Sequence, residues 1–69
     1  MDIKARFGAR LKELRQAKGI SQEALANLCG LDRTYMTSVE NGRRNLSIES
    51  IEKILSGLGI SFGEFFSTF

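Results

Sequence analysis

The stretch from Ser21 to Gly42 constrains this fold more than any other. Two good helix N-cap residues, Ser21 and Asp32, stand so close together that only a short helix and a tight turn fit between them. Ala24, Leu25 and Leu28 supply the apolar set of that helix, which runs to about Cys29. Gly30 provides the backbone freedom for a sharp turn. Asp32 then opens a second helix, to about Asn41, which Gly42 stops. Helix, glycine-containing turn, helix is the plan of ordinary helix pairs and also of units that lay their second helix in the major groove of DNA. The polar face of the second helix decides between the two.

The rest of the chain also reads as helix. Asp2 caps a first helix to about Lys18, with Ile3, Phe7, Leu11, Leu14 and Ala17 on one face. Gly8 within it allows close packing, and most of the basic side chains Lys4, Arg6, Arg10, Lys12, Arg15 and Lys18 are expected at a solvated surface. Gly19 ends this helix and Ile20 packs back. After the central unit comes a basic, polar loop, Arg43-Arg44-Asn45, with Leu46 as its anchor to the core. Ser47 caps a fourth helix to about Leu58, whose apolar face is Ile48, Ile51, Ile54, Leu55 and Leu58. Leu46 and Ile51 fit a hydrophobic staple, and Gly57 and Gly59 mark the helix end. Ser61 with Glu64 is a capping-box pair for a short fifth helix bearing Phe62, Phe65 and Phe66, with Phe69 just beyond. The expected fold is all-α: a compact five-helix bundle, one domain over residues 1–69, without repeats or linkers.

Composition removes several function classes. The single cysteine, Cys29, cannot form an intrachain disulfide and sits among apolar helix residues, as a small core residue does. With one cysteine and no histidine there is no zinc-finger pattern, and the dispersed acids form no metal or general-acid pair. No metal, no cofactor and no enzymatic activity are expected. No apolar run is long enough to span a bilayer, and Met1 leads straight into charged helical sequence without a signal peptide, so a cytoplasmic protein is expected. The net charge of +2 says less than its distribution. Lys4, Arg6, Arg10, Lys12, Arg15 and Lys18 face only Asp2 and Glu13 in the first helix, whereas beyond Asn45 only Lys53 opposes Glu49, Glu52 and Glu64. A basic front and an acidic tail orient a molecule against a polyanion.

On a helical wheel, Arg33, Thr34, Thr37, Ser38 and Asn41 share one arc of about 140°. Met36 and Val39 lie opposite as core anchors, and Glu40 borders that buried face. The polar arc carries a guanidinium, hydroxyls and an amide, all able to meet base edges, and no carboxylate to repel phosphate. On this reading every side chain of the arc can approach a base: an arginine such as Arg33 matches guanine O6 and N7, and a threonine can hydrogen-bond or pack its methyl against thymine. Tyr35 lies between the two faces, placed either to reach a phosphate or to flank the core.

The blocks Ser21-Gln22-Glu23-Ala24-Leu25-Ala26, Gly30-Leu31-Asp32-Arg33-Thr34-Tyr35, Val39-Glu40-Asn41-Gly42-Arg43-Arg44-Asn45-Leu46-Ser47, Ile51-Glu52-Lys53-Ile54 and Leu58-Gly59-Ile60 resemble the Cro and phage-repressor type of helix-turn-helix regulator. Arg33-Thr34-Tyr35, Glu40 to Asn45 and the Phe-rich end also resemble controller proteins of restriction-modification systems. The resemblance runs from Phe7 to Phe66 and implies a five-helix DNA-binding domain acting as a homodimer on a palindromic operator. It implies that Arg33 and Thr34, and further along Thr37 and Ser38, contact bases, and that Gln22 bonds a phosphate and helps hold the reading helix, where helix N-terminal amides also attract phosphate. It implies that Arg15 and Glu40 form a partly buried salt bridge between the first and third helices. Arg43, Arg44 and Asn45 fall in the loop that runs along the DNA backbone, the arginines as phosphate contacts and Asn45 there or bracing the loop. The family's glutamine-rich reading faces are absent here, so their base code does not transfer.

One small domain offers few base contacts, and two symmetric half-sites are the natural remedy. Of the five phenylalanines all but Phe7 lie between Phe62 and Phe69, more rings than a short helix can turn inward. At least one of Phe65, Phe66 and Phe69 is expected at a two-fold dimer contact, with Ile60 or Ser61 at its rim. The expected partners are double-stranded DNA with an inverted-repeat operator and a second copy of the chain. RNA polymerase joins them if the protein activates; no membrane is involved. The alternative from another class is an antitoxin-like interaction module that uses the Phe-rich end for a protein partner and binds DNA only weakly.

Overall fold

Side-chain caps start each helix of the computed structural model, which describes residues 2–69. Asp2 accepts from the Lys4 amide at 2.9 Å ahead of α1, Ile3–Ala17. Ser21 accepts from Ala24 at 3.0 Å ahead of α2, Gln22–Cys29. Asp32 accepts from Thr34 and Tyr35 ahead of α3, Arg33–Glu40. Ser47 accepts from Ser50 at 3.1 Å ahead of α4, Ile48–Leu58. Before α5, Phe62–Phe66, the capping box closes both ways: the Glu64 amide donates to Ser61 Oγ, and the Ser61 amide to Glu64 Oε1. Each cap satisfies an otherwise orphaned helix amide and stabilises its helix by about 1 kcal/mol. At the α2–α3 turn Gly30 takes φ 68°, a left-handed conformation that only glycine adopts without strain. The Leu31 amide then donates to Ala26 O at 2.9 Å, closing the end of α2.

Helix α3 packs across α1 and α2, α4 backs α2, and α5 closes against α4. The core they enclose is Phe7, Leu11, Leu25, Ala26, Cys29, Met36, Val39, Ile54, Leu55, Leu58 and Phe65. It differs from the expected apolar faces at the helix ends. Ile3 is 57% exposed and Ile48 70%, although each lies on its helix's apolar stripe. Burial rises along both helices, from Ile3 to Leu11 and from Ile48 through Ile51 to Ile54, because their first turns overhang the core. Ala17, on the last turn of α1, is likewise exposed. Leu28 is 62% exposed, since α2 is held between α3 and α4 and buries the arc of Leu25, Ala26 and Cys29 instead. Gly57 does not end α4 but lies inside it, where a Cβ would collide with Cys29 Sγ; the helix stops at Gly59.

Candidate nucleic-acid interface

The outer face of α3 is polar because its inner face is fully committed. Met36 and Val39 are buried, which leaves Arg33 and Thr34 exposed and Thr37 and Ser38 half-buried at the surface edge. Asn41 lies one residue past the helix and is exposed. The nearby carboxylate of Asp32 is turned back onto the Thr34 and Tyr35 amides at 2.9 and 3.3 Å. Glu40, at the other end, points inward.

Behind that face runs a continuous polar chain. Arg15 reaches from α1 and donates to both oxygens of Glu40, Nε to Oε2 at 2.7 Å and Nη2 to Oε1 at 3.1 Å. Its third nitrogen donates to Ile20 O at 2.8 Å. The Gln22 amide nitrogen donates to Glu40 Oε1 at 3.0 Å, and Thr37 Oγ1 donates to Gln22 Oε1 at 2.9 Å. The Glu40 side chain is 1% exposed and that of Arg15 11%, so burial makes these charge-assisted bonds the condition for tolerating the carboxylate. Together they join α1, the start of α2 and the middle of α3. The bond from Thr37 to Gln22 was not legible in the sequence, because it depends on how α2 and α3 cross.

Helix α3 passes into the arginine loop through Gly42, at φ 73°. A Cβ on Gly42 would lie 2.8 Å from Ala5 Cα, so the glycine lets the chain pass directly over α1. Arg43, Arg44 and Asn45 are all exposed just past the end of α3, where the Arg43 amide donates to Ser38 O at 3.0 Å, and Leu46 packs on the core behind them. The Arg44 guanidinium sits 4.8 Å above the half-buried ring of Tyr35, a cation–π contact that ties loop to helix.

The aromatic end is divided in its roles. Phe65 is wholly buried against Phe7, with ring centroids 4.8 Å apart, and has no surface to give a partner; this removes it from the expected dimer contact. Phe66, Phe69 and Ile60 are half-buried, Ser61 is exposed, and Phe62 is the most exposed ring at 40%. Arg10, one of the basic residues of α1, is not simply solvated but reaches α5. Its Nε and Nη2 donate to the carbonyls of Phe65 and Glu64 at 3.3 and 3.4 Å, while Nη1 pairs with Glu13 at 2.8 Å. The available signal was that α5 has no basic residue of its own in its last turn to meet those carbonyls. No group of potential metal ligands occurs among the described residues, and no described helix is long and apolar enough to cross a membrane. Cys29 is buried and its thiol is pushed up to about 11 by burial.

A glycine turn between two helices, the second presenting a carboxylate-free polar face beside an arginine loop, defines a sequence-specific DNA-binding regulator. The helix-turn-helix family profile matches residues 11–65. Control protein C.MunI of a Mycoplasma species is 55% identical over 67 residues, covering 96% of this chain and 90% of that protein. The crystal structure of the restriction-modification controller protein C.AhdI from Aeromonas hydrophila superposes with a TM-score of 0.86 at 53% identity, over 90% of this chain and 94% of that one. The C.Esp1396I controller tetramer, in complex with its natural 35 base-pair operator, superposes with a TM-score of 0.87 at 41% identity, over 91% and 83%. The chain therefore belongs to the helix-turn-helix family and, within it, to the restriction-modification controller proteins.

Proposed function

We propose that the chain acts as a homodimer on an inverted-repeat operator and controls the genes of a restriction-modification system. One observation carries this reading: the outer face of α3, bare of carboxylates, continues into exposed Arg43 and Arg44. Arg33, Thr34, Thr37 and Ser38 read base edges. Gln22, Tyr35, Arg43, Arg44 and Asn45 hold the phosphates on either side, with Gln22 acting from the α2 N-terminus. The dimer contact runs along the end of the chain, through Phe66, Phe69 and Phe62, with Ile60 and Ser61 at its rim. The C.Esp1396I tetramer on its operator supports more than one protomer per DNA site. Cytoplasmic action fits the free thiol of Cys29 and a DNA partner. Where the bound dimer activates, RNA polymerase is its further partner.

Titration of the purified chain against the DNA upstream of its own gene tests the reading. The expected result is salt-dependent binding to an inverted repeat, with a scrambled duplex bound far more weakly. Equal affinity for both duplexes would overturn it, as would a tight complex with another protein from a chain that binds DNA poorly. Run-off transcription on the same DNA, with and without the protein, separates repression from activation.

A further inference from the structure

We propose that Thr37 reads DNA only as a hydrogen-bond acceptor, and so selects an adenine or cytosine amino group on the strand it faces. The inference rests on α3 being the reading helix, as proposed above. A threonine hydroxyl is normally ambiguous, with one proton to give and two lone pairs to receive. It can meet a donor or an acceptor on a base edge, and taken alone it specifies little.

The buried chain behind α3 removes that ambiguity. The Glu40 carboxylate, gripped by Arg15, has only acceptor oxygens to offer, so the Gln22 group facing it at 3.0 Å is the amide nitrogen. Gln22 is thereby oriented with its carbonyl oxygen toward Thr37, 2.9 Å from Oγ1. A carbonyl only accepts, so the threonine must donate. The second partner in reach, the Arg33 carbonyl at 3.1 Å, is also an acceptor only. Whichever of the two holds the proton, it points into the protein, and the lone pairs remain for the groove.

In the major groove every base pair carries one amino group, N6 of adenine or N4 of cytosine, and the opposing base presents O4, or O6 and N7. An acceptor meets the amino group and is repelled by the keto oxygen. Thr37 therefore reads which strand carries the amino group at one position of each half-site. Arg33, one turn earlier on α3, has only donors and prefers the opposite pattern. The two residues give the helix face a fixed polarity, donor first and acceptor second.

The test selects binding sites from a randomised duplex pool with the wild-type protein, Thr37→Ser and Thr37→Val in parallel. Wild type and Thr37→Ser should enrich adenine or cytosine at one half-site position where Thr37→Val accepts any base. Amino groups are then deleted one at a time from the wild-type site, with purine for adenine and pyrimidin-2-one for cytosine. One deletion should weaken wild-type binding on the order of fivefold to tenfold, the lower end of the range for a base contact, and leave Thr37→Val unchanged. Guanine or thymine at the Thr37-dependent position would overturn the proposal. So would a wild-type protein indifferent to every amino deletion, a result that needs no variant to fold. Failure of the wild type to enrich any sequence would instead sink the reading of α3 itself.

Discussion

Gly8 of α1 lies directly against Glu40 of α3. A Cβ on Gly8 would stand 2.5 Å from the carbonyl oxygens of both Glu40 and Val39, and 2.9 Å from the Glu40 carbonyl carbon. Those atoms are backbone and cannot swing aside. Glycine in mid-helix costs about 1 kcal/mol against alanine, so close helix approach is the physical reason for it here. The approach also brings Arg15 within reach of the Glu40 carboxylate and sets the angle at which α3 leaves the body of the protein.

Gly8→Ala is therefore expected to destabilise the fold despite the better helix propensity. Overpacking costs about 1–3 kcal/mol, here toward the upper end because a Cβ would meet backbone, and propensity returns about 1, for a net loss of about 1–2 kcal/mol. Urea unfolding measures it. An unchanged or raised midpoint would show that α1 and α3 can separate without penalty.

Arg15→Ala is expected to cost on the order of 3–5 kcal/mol, because it strands a carboxylate that is 1% exposed. Adding Glu40→Gln should restore part of the loss, since a neutral amide carries no unpaired charge. Unfolding of the wild type, the two single variants and the double variant gives the coupling energy directly. Strict additivity would mean that the pair contributes nothing as a pair.

Arg33→Ala and Arg43→Ala should weaken DNA binding in different ways. Loss of Arg33 should cost about 1–3 kcal/mol per half-site and relax the preference at one base position. Loss of Arg43 should weaken all sequences alike and lower the salt slope by just under about one unit per contact. Titrations over a series of salt concentrations, on operators altered one base at a time, separate the two. A changed base preference with an unchanged slope for Arg43→Ala would contradict its phosphate role.

The helix starts were legible because a cap is a local exchange between residues a few positions apart. Ser61 with Glu64 is the clearest instance, and the structure closes that box in both directions. Periodicity located the middle of the core, at Leu11, Met36 and Ile54, but not its edge. How far Ile3 or Ile48 overhangs depends on where the neighbouring helices stop, which no single-helix pattern contains. The same limit hid Arg10, whose partners in α5 are distant in sequence. It also hid the donor role of Thr37, which follows from a glutamine on one helix and a carboxylate at the end of another.

Cys29 makes stability fall at alkaline pH. Burial raises its thiol from 9.0 to about 11, so the folded state holds the proton where the unfolded chain releases it. The contribution is complete below about pH 9 and is lost as pH rises through the folded value, amounting to roughly 2 kcal/mol near pH 11. Cys29→Ala separates this from other groups that titrate there: the wild-type advantage should shrink over that window. A constant difference between the two proteins from about pH 8 to 11 would mean that the thiol ionises alike in both states.

The aromatic end carries the last prediction. Phe65 fills the core, and Arg10 holds the carbonyls that end α5, so this short helix is fixed on the body of the protein rather than hanging from it. Exposed Phe62 and half-buried Phe66, with centroids 6.4 Å apart, form the outer side of that rigid mount, and Phe69 packs edge-on against Phe66 at 4.9 Å. Rings facing water on a fixed helix favour burial against a second copy, and two-fold pairing would set the reading helices about one DNA turn apart, 34–36 Å. Phe62→Glu, at the most exposed ring, should give a folded monomer with much weaker operator affinity. Arg10→Ala should act in the same direction but less strongly, because it loosens the mount and leaves the rings in place. Sedimentation equilibrium and circular dichroism on each variant, with an operator titration alongside, decide the matter. If Phe62→Glu and Phe66→Glu both fold and both dimerise at wild-type strength, the two-fold contact lies elsewhere on the molecule.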